Sequence, residues 1–179
     1  IKSLQKIQIA KESTLGTLST SDMQILRVPG GTLSDDRQVT MVDEMVGIVN
    51  GTDRSYISAA QGSISIDNSP LTPEQFPVLL GAALGFDGFT GRTSTTQGEL
   101  DGVSAYRYTC TLPTTTVLQN STVAATGRNI VYSFVAGDSF EVEQMTYGKC
   151  TNVSVSGSSG SALSMQASFM GRNVAYYGS

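Results

Sequence analysis

Three pairs of carboxylates are the residues in this sequence whose types and spacing could support chemistry. Asp35-Asp36 and Asp43-Glu44 are adjacent pairs, and Glu141 and Glu143 are separated by one residue. Paired carboxyl groups can act as general acid and base, or bind calcium, only where a cleft buries them and shifts their pKa values. Otherwise they are solvated, and Glu141 and Glu143 alternate with apolar residues as the outer face of a strand does. We therefore expect no catalytic, metal or cofactor site at these pairs.

Histidine is absent from the 179 residues. Its absence removes the most frequent general base and the most frequent zinc ligand, and it excludes the usual serine and cysteine triads. The CxxC, GxGxxG and GxxxxGKS or GxxxxGKT motifs do not occur either. The sequence indicates a protein that is not an enzyme.

The two cysteines, Cys110 and Cys150, are too few for a disulfide framework. They can form a bridge only if folding brings their Cα atoms within about 7 Å, which the sequence does not decide. Two free, partly buried thiols are the simpler expectation.

The formal net charge of −4 limits the partners of the chain. Without a cationic excess to neutralise phosphates, tight binding of DNA or RNA is not expected. An acidic surface can still lie beside DNA, because like charges prevent the polymer from adhering. No apolar run approaches the length of about 18 residues that spans a bilayer, so no membrane association is expected.

Composition predicts a single, mainly β domain over residues 1–179. The chain has 39% hydrophobic residues, 19 Gly, 5 Pro and many Ser and Thr, which favours strands joined by turns. Alternating or β-branched segments predict strands at residues 4–9, 38–49, 55–66, 105–112, 130–136, 140–149, 150–156 and 162–171. Long loops are predicted at residues 18–37 and 85–102.

A long hairpin is predicted around Asn50-Gly51, because both residues accept positive φ. The strands on either side exceed the usual five or six residues, so the hairpin can extend beyond its own domain and offer an edge to a neighbour.

One amphipathic helix is predicted over residues 72–84. Its apolar residues form a single stripe that we expect to pack on a sheet: Phe76, Leu79, Leu80, Ala83 and Leu84. Thr72 with Gln75 fits a capping box, and Gly85 fits the C-terminal stop. Pro77 conflicts with this start, since a proline at the fifth helical position removes a hydrogen bond, and the regular helix could begin there.

Several segments occur in a recognisable order along nearly the whole chain. They are Lys11-Glu12-Ser13-Thr14-Leu15-Gly16-Thr17, Val42-Asp43-Glu44, Gly51-Thr52-Asp53-Arg54-Ser55-Tyr56, Leu71-Thr72-Pro73-Glu74-Gln75-Phe76-Pro77-Val78-Leu79-Leu80, Val153-Ser154-Val155-Ser156-Gly157 and Phe169-Met170-Gly171-Arg172. In order and spacing they resemble the major tail tube proteins of long-tailed, non-contractile (siphovirus-type) bacteriophages.

The resemblance implies a structural virion protein with two packed antiparallel sheets, a β-sandwich or barrel-like tail tube fold, flanked by one short helix. Six copies would form a ring, and rings would stack into a tube. Long hairpins of neighbouring copies would then join in a β-barrel, through which double-stranded DNA passes without tight binding. Type VI secretion tube proteins are similar in design. The resemblance also implies other tail proteins at the tube ends, synthesis in the bacterial host cytoplasm and a final location in the virion.

Under this resemblance, residues 38–66 and 150–171 would supply the hairpins of the inner barrel. The lumen-facing candidates are the polar residues of those strands: Asp43, Ser63, Ser65, Ser154, Ser164, Gln166 and Ser168. A slip of one residue in a bent strand would exchange the two faces. The loop over residues 85–102 and the arm over residues 18–33 are candidates for contacts between rings, and an ordinary mobile loop is the alternative for each.

Two other functions are compatible with the sequence. An adhesin or decoration β-sandwich module would act as a monomer or trimer, form no extended polymer and expose an aromatic patch. A glycan-acting enzyme would need a cleft that brings two carboxyl groups within roughly 5 to 10 Å.

Overall fold

The computed structural model describes residues 5–20, 23–42, 54–85, 92–95, 105–108, 130–138 and 140–178. Within them the chain is mainly β with a single α-helix, which confirms the predicted fold class. The strands are β1 (Lys6–Lys11), β2 (Gln24–Leu26), β3 (Gly31–Val42), β4 (Arg54–Pro70), β5 (Arg92–Thr95), β6 (Ala105–Tyr108), β7 (Tyr132–Gly137), β8 (Glu141–Ser156), β9 (Ser164–Gly171) and β10 (Asn173–Gly178), and the helix is α1 (Gln75–Leu84).

Eight of these strands belong to one antiparallel sheet, so the expectation of two separate sheets is wrong in this detail. The path runs β2-β1-β7-β8-β9-β4-β3, with β10 also paired to β8. In the described part of the chain, β5 and β6 pair only with each other. The long strand β8 joins two regions: residues 141–148 pair with β7 and β10, and residues 149–156 pair with β9. We call β1, β2, β7, β10 and the first part of β8 the β1 half. The β4 half comprises β3, β4, β9 and residues 149–156.

The hydrophobic core lies between these two halves, which pack face to face. Phe134 of the β1 half and Phe169 of the β4 half have ring centroids 4.6 Å apart, and both are buried. In β9, Met165, Ala167 and Phe169 are buried, as the predicted alternation requires. The buried cluster also contains Ile7, Ile9, Leu26, Ile64, Ile66, Val78, Leu79, Tyr132, Met145 and Val174. A single sheet folded on itself thus produces a sandwich-like core.

Two glycines allow the halves to approach closely. Gly62 of β4 and Gly171 of β9 lie opposite each other in the ladder. A Cβ on Gly171 would lie 2.5 Å from Cγ of Met145, and a Cβ on Gly62 would lie 2.7 Å from Cγ2 of Val174. Larger residues at these positions would therefore push the halves apart.

The helix begins at Gln75, three residues after the predicted start. The backbone N–H of Gln75 donates to the Thr72 hydroxyl at 3.4 Å, which supplies one half of the predicted capping box. Pro77 then falls in the first turn, where a missing N–H costs no intrahelical bond. Gly85 ends the helix with φ of 77° and donates to the Gly81 carbonyl at 2.8 Å, as predicted.

The buried side of α1 differs from the predicted stripe. Val78 and Leu79 are buried and Phe76 packs against the core, whereas Leu84 is 45% exposed. Of the remaining predicted positions, Leu80 is half-buried and Ala83 is exposed. Apolar side chains of α1 lie on most sides of the helix, so their spacing did not identify the side that packs on the sheet.

The predicted long hairpin is present as β3 and β4, which pair from Gly31 with Ile66 to Val42 with Arg54. Its turn lies outside the described residues. The prediction of a loop over residues 18–37 is wrong where β2 and the first part of β3 occur, and the predicted loop over residues 85–102 contains β5. The segments 140–149 and 150–156 form the single strand β8, and β10 was not predicted.

Candidate assembly surface

Six of the seven predicted lumen-facing residues lie on one face of the β4 half. In β4, Ser63 and Ser65 are exposed and alternate with buried residues. The register places Ser168 opposite Ser65 and Gln166 opposite Ser154, so their side chains project to the same side. Ser164, the sixth, is at i−2 from Gln166 and shares its face. Asp43 lies outside the described residues.

Small, uncharged side chains dominate this surface. We call it the polar face and define it by Thr32, Ser34, Ser63, Ser65, Asn152, Ser154, Ser156, Ser164, Gln166 and Ser168, which the strand register aligns. The hydroxyl oxygens of Ser156 and Ser164 are 3.0 Å apart, and the Thr151 hydroxyl donates to the Ser168 carbonyl at 3.0 Å. None of the ten residues is a general base that could activate a hydroxyl.

The β4 half has two open edges. Among the described strands, β3 pairs only with β4, and residues 149–156 pair only with β9. Each of these edges presents backbone N–H and C=O groups that have no ladder partner within the described chain. Such edges are templates for pairing with another chain.

The far end of the β3–β4 hairpin carries exposed apolar side chains. Val39 and Met41 share a face of β3, and Val39 lies opposite Ile57 of β4. Their exposed fractions are 57%, 69% and 55%, in that order. A register shift between Gln38 and Val39 separates this end from the rest of the hairpin. Apolar residues exposed together are typical of an interaction surface.

An open cavity of about 750 Å³ lies beside the β1 half and is lined in part by Glu141 and Glu143. Glu141 is exposed, as expected of a solvated acid, whereas Glu143 is half-buried on the face of β8 that buries Met145 two residues further on. Burial raises the pKa of Glu143, and the neighbouring carboxylates of Glu141 and Asp35 raise it further. The cavity is acidic on this side, and Lys6 and Arg27 line it elsewhere.

The adjacent acids Asp35 and Asp36 do not form a pair. Successive residues of β3 project to opposite faces, and the Asp35 carboxylate instead contacts Nε of Arg37 at 2.6 Å. Nη2 of Arg37 donates to the Val174 carbonyl at 2.6 Å, which ties β3 to β10. Asp35 Oδ1 is buried without a hydrogen-bond partner. The pair Asp43-Glu44 lies outside the described residues.

The remaining predictions concern metal binding, the two cysteines and membrane spanning. Across the described ranges, no group of three or more His, Cys, Asp or Glu residues could hold a metal ion. Cys150 is half-buried and free, and burial raises the pKa of its thiol. Cys110 is not among the described residues. The one described helix is too short to cross a bilayer.

Comparisons with known proteins find similarity only in structure. The sequence matches no known family and no curated protein. A chain in the virion of a native gene transfer agent particle is similar over 98% of this chain and 96% of its own length, with 9% identity and a TM-score of 0.49. A chain in the C6-symmetric tail of an empty gene transfer agent particle covers 97% and 95%, with 11% identity and a TM-score of 0.46. One in the extended sheath–tube complex of an extracellular contractile injection system covers 97% and 89%, with 6% identity and a TM-score of 0.43. Similarity of this extent assigns neither a family nor a function to the chain.

Proposed function

We propose that this chain is a tail tube subunit, a structural virion protein that assembles into hexameric rings stacked into a hollow tube. The observation that supports this most strongly is the β4 half, in which a polar face is flanked by two open strand edges. The segments that resemble major tail tube proteins support the same function. Catalysis has no part in the proposal.

The directions of the four strands of the β4 half favour the closure of a ring. In the order residues 149–156, β9, β4, β3, each strand is antiparallel to the next, so the two edge strands are antiparallel to each other. Copies related by rotation about one axis keep this orientation, and β3 of one copy would meet residues 149–156 of the next as an antiparallel pair. Such a head-to-tail contact generates a ring.

The number of strands suits a wide barrel. Six copies would supply about 24 strands, and at a spacing of roughly 4.8 Å the circumference is roughly 115 Å before strand tilt widens it. Closure in this way also removes the edge-to-edge aggregation hazard of the isolated chain.

The polar face would line the lumen of this barrel. Its ten residues carry no charge, and the register continues the same face to one exposed cation, Lys149, and one exposed acid, Asp36, so the face has no cationic excess. The net charge of the chain is negative. Double-stranded DNA would therefore pass through without tight binding, because no counterions are released on contact. Other tail proteins would contact the tube ends, where the last ring has open surfaces. The chain would be made in the bacterial host cytoplasm and end in the virion.

Negative-stain microscopy and sedimentation of the purified chain over a range of concentrations test the proposal. We expect six-fold rings or hollow tubes above a critical concentration. An adhesin or decoration module would remain a small, monodisperse particle, and that result would count against the proposal.

A proline substitution in residues 149–156 tests whether the open edge of this strand is needed for assembly. Successive N–H groups of a strand point to opposite sides, so one of Ser154→Pro and Val155→Pro removes an N–H that faces the open edge. That variant should retain the fold and lose the polymer. The other variant is the matched control, and it should destabilise the monomer because it removes a bond to β9.

A further inference from the structure

A buried carboxylate connects three distant parts of the β1 half. Glu12 follows β1 and is only 6% exposed. Its Oε1 accepts hydrogen bonds from the Ser133 hydroxyl at 2.9 Å and from the Tyr147 backbone N–H at 2.6 Å, and its Oε2 accepts one from the Gly16 N–H at 2.6 Å. Ser133 Oγ also accepts the Ser19 N–H at 3.4 Å. One side chain thus connects the loop after β1, strand β7 and strand β8.

The contact on β8 lies where this strand passes from one half of the sheet to the other. Tyr147 has φ of 59°, and among the described non-glycine residues no other has positive φ. Just before it, residues 141–146 pair with β10, and from Lys149 onward the strand pairs with β9. Gly148 is required here, since a Cβ would lie 2.7 Å from the Tyr132 carbonyl oxygen. Left-handed backbone at a bulky residue costs free energy and persists only when the surroundings impose it.

The same carboxylate fixes the loop at residues 13–17. The Thr17 N–H donates to the Thr14 carbonyl at 3.1 Å, Gly16 has φ of 77°, and Leu15 is 47% exposed. The loop belongs to the segment Lys11-Glu12-Ser13-Thr14-Leu15-Gly16-Thr17, to which the proposed function assigns no role.

We propose that Glu12 is a positioning residue for assembly: it holds the bend of β8 at Tyr147 and thereby sets the angle at which the β4 half presents its two open edges to the next copy. This inference rests on the proposed function. Three donors converge on two oxygens, and only a carboxylate can accept from all of them. A carboxamide in either orientation would place an NH₂ group against at least one of the backbone N–H groups of Gly16 and Tyr147.

Glu12→Gln in the full chain tests the inference, with Glu74→Gln as the matched control. Glu74 is exposed and makes no side-chain cap bond. We expect Glu12→Gln to remain folded by circular dichroism, to raise the critical concentration for assembly roughly tenfold or more, and to give irregular rings, because a charge-assisted bond at the bend is lost. Glu74→Gln should match the original chain. If Glu12→Gln assembles at the same concentration into rings of the same symmetry, the inference is wrong.

Amide hydrogen exchange on the unassembled chain separates this inference from the proposed function. In the original chain the Tyr147 and Gly16 amides should be protected, and in Glu12→Gln they should exchange roughly tenfold faster while the amides of β8 that bond to β7, β9 and β10 keep their protection. Equal protection in the two chains would overturn the inference, whether or not the original chain forms tubes. If Glu12→Gln does not fold, Ser133→Ala removes one of the three donors and should give a smaller change in the same direction. If Ser133→Ala exchanges its Tyr147 and Gly16 amides at the same rate as the original chain, the positioning role of Glu12 is contradicted.

Discussion

Phe134 and Phe169 pack with ring centroids 4.6 Å apart, although they belong to opposite halves of the same sheet. Phe134 is on β7, Phe169 is on β9, and β8 connects the two strands in the hydrogen-bonded ladder. This contact exists because the sheet folds over itself along β8. The contact between Phe134 and Phe169 therefore depends on the packing of the β4 half against the β1 half.

Phe169→Ala should destabilise the unassembled chain by about 3 to 5 kcal/mol, because it leaves a cavity in the core and removes the contact with Phe134. Urea unfolding below the assembly concentration measures this change. Phe140→Ala is the control, since Phe140 is 72% exposed, and it should change the free energy of unfolding by no more than about 0.5 kcal/mol. Similar losses in both variants would contradict the packing of Phe169 against Phe134 in the core.

Gly171→Ala should destabilise the chain by about 1 to 3 kcal/mol, because the new methyl group overlaps neighbouring atoms in a packed core. The Cβ would lie 2.5 Å from Cγ of Met145 and 2.9 Å from the carbonyl oxygen of Thr146, which is backbone and cannot rotate away. Gln166→Ala, on the exposed side of the same strand, should have little effect. Thermal unfolding of the two variants compares them, and a neutral Gly171→Ala would show that the halves are further apart than described.

Glu143 should make the chain less stable as the pH rises. Its folded-state pKa lies above the ordinary value of 4.5, first because of burial and then because of Glu141 and Asp35. The folded state therefore binds more protons than the unfolded state above pH 4.5, and the corresponding stability is lost as the pH rises through the raised pKa. Arg37, paired with Asp35, partly offsets the acidic charge nearby.

Glu143→Gln should remove this loss, so its stability relative to the original chain should increase between pH 4 and pH 7. Urea unfolding at several pH values gives the difference. Glu74→Gln, at an exposed site, should show no such trend. A constant difference between Glu143→Gln and the original chain across this range would contradict the assigned environment.

Charge on the polar face should decide whether the tube binds DNA. Ser65→Lys should leave assembly intact and give tubes that bind short DNA duplexes, with an affinity that falls steeply as salt increases, because each ring then presents cations to phosphates. Ser65→Glu is the matched control and should assemble without binding. Fluorescence anisotropy with labelled duplexes measures both variants. If Ser65→Lys tubes bind no more DNA than Ser65→Glu tubes, the polar face does not line the lumen.

The sequence predicted the elements in which the local pattern and the tertiary environment agree. In β9, apolar and small polar residues alternate, so one side was recognisably buried. Thr72 and Gly85 mark the entry and end of α1 through hydrogen bonds that depend on nearby backbone only. The strand register puts six of the proposed lumen residues on one face of the β4 half, and that this face lines a lumen stays a prediction.

Features that depend on distant partners were missed. The first part of β3 lacks apolar alternation because Asp35 and Arg37 occupy its inner face, where they pair with each other and with β10. The bend at Tyr147 carries no local signal, since its backbone N–H is held by Glu12, 135 residues earlier in the chain. Glu12 itself stands in a polar segment typical of a surface turn. A buried glutamate there is visible only once the chain is folded.

Amide hydrogen exchange in assembled and unassembled samples shows whether copies join through β3 and residues 149–156, because it reports on these edge strands themselves. Outward-facing amides of β3 and of residues 149–156 should exchange rapidly in the isolated chain and become protected together when rings form. If a polymer forms while both sets of amides continue to exchange as they do in the monomer, the copies are not joined through these edges.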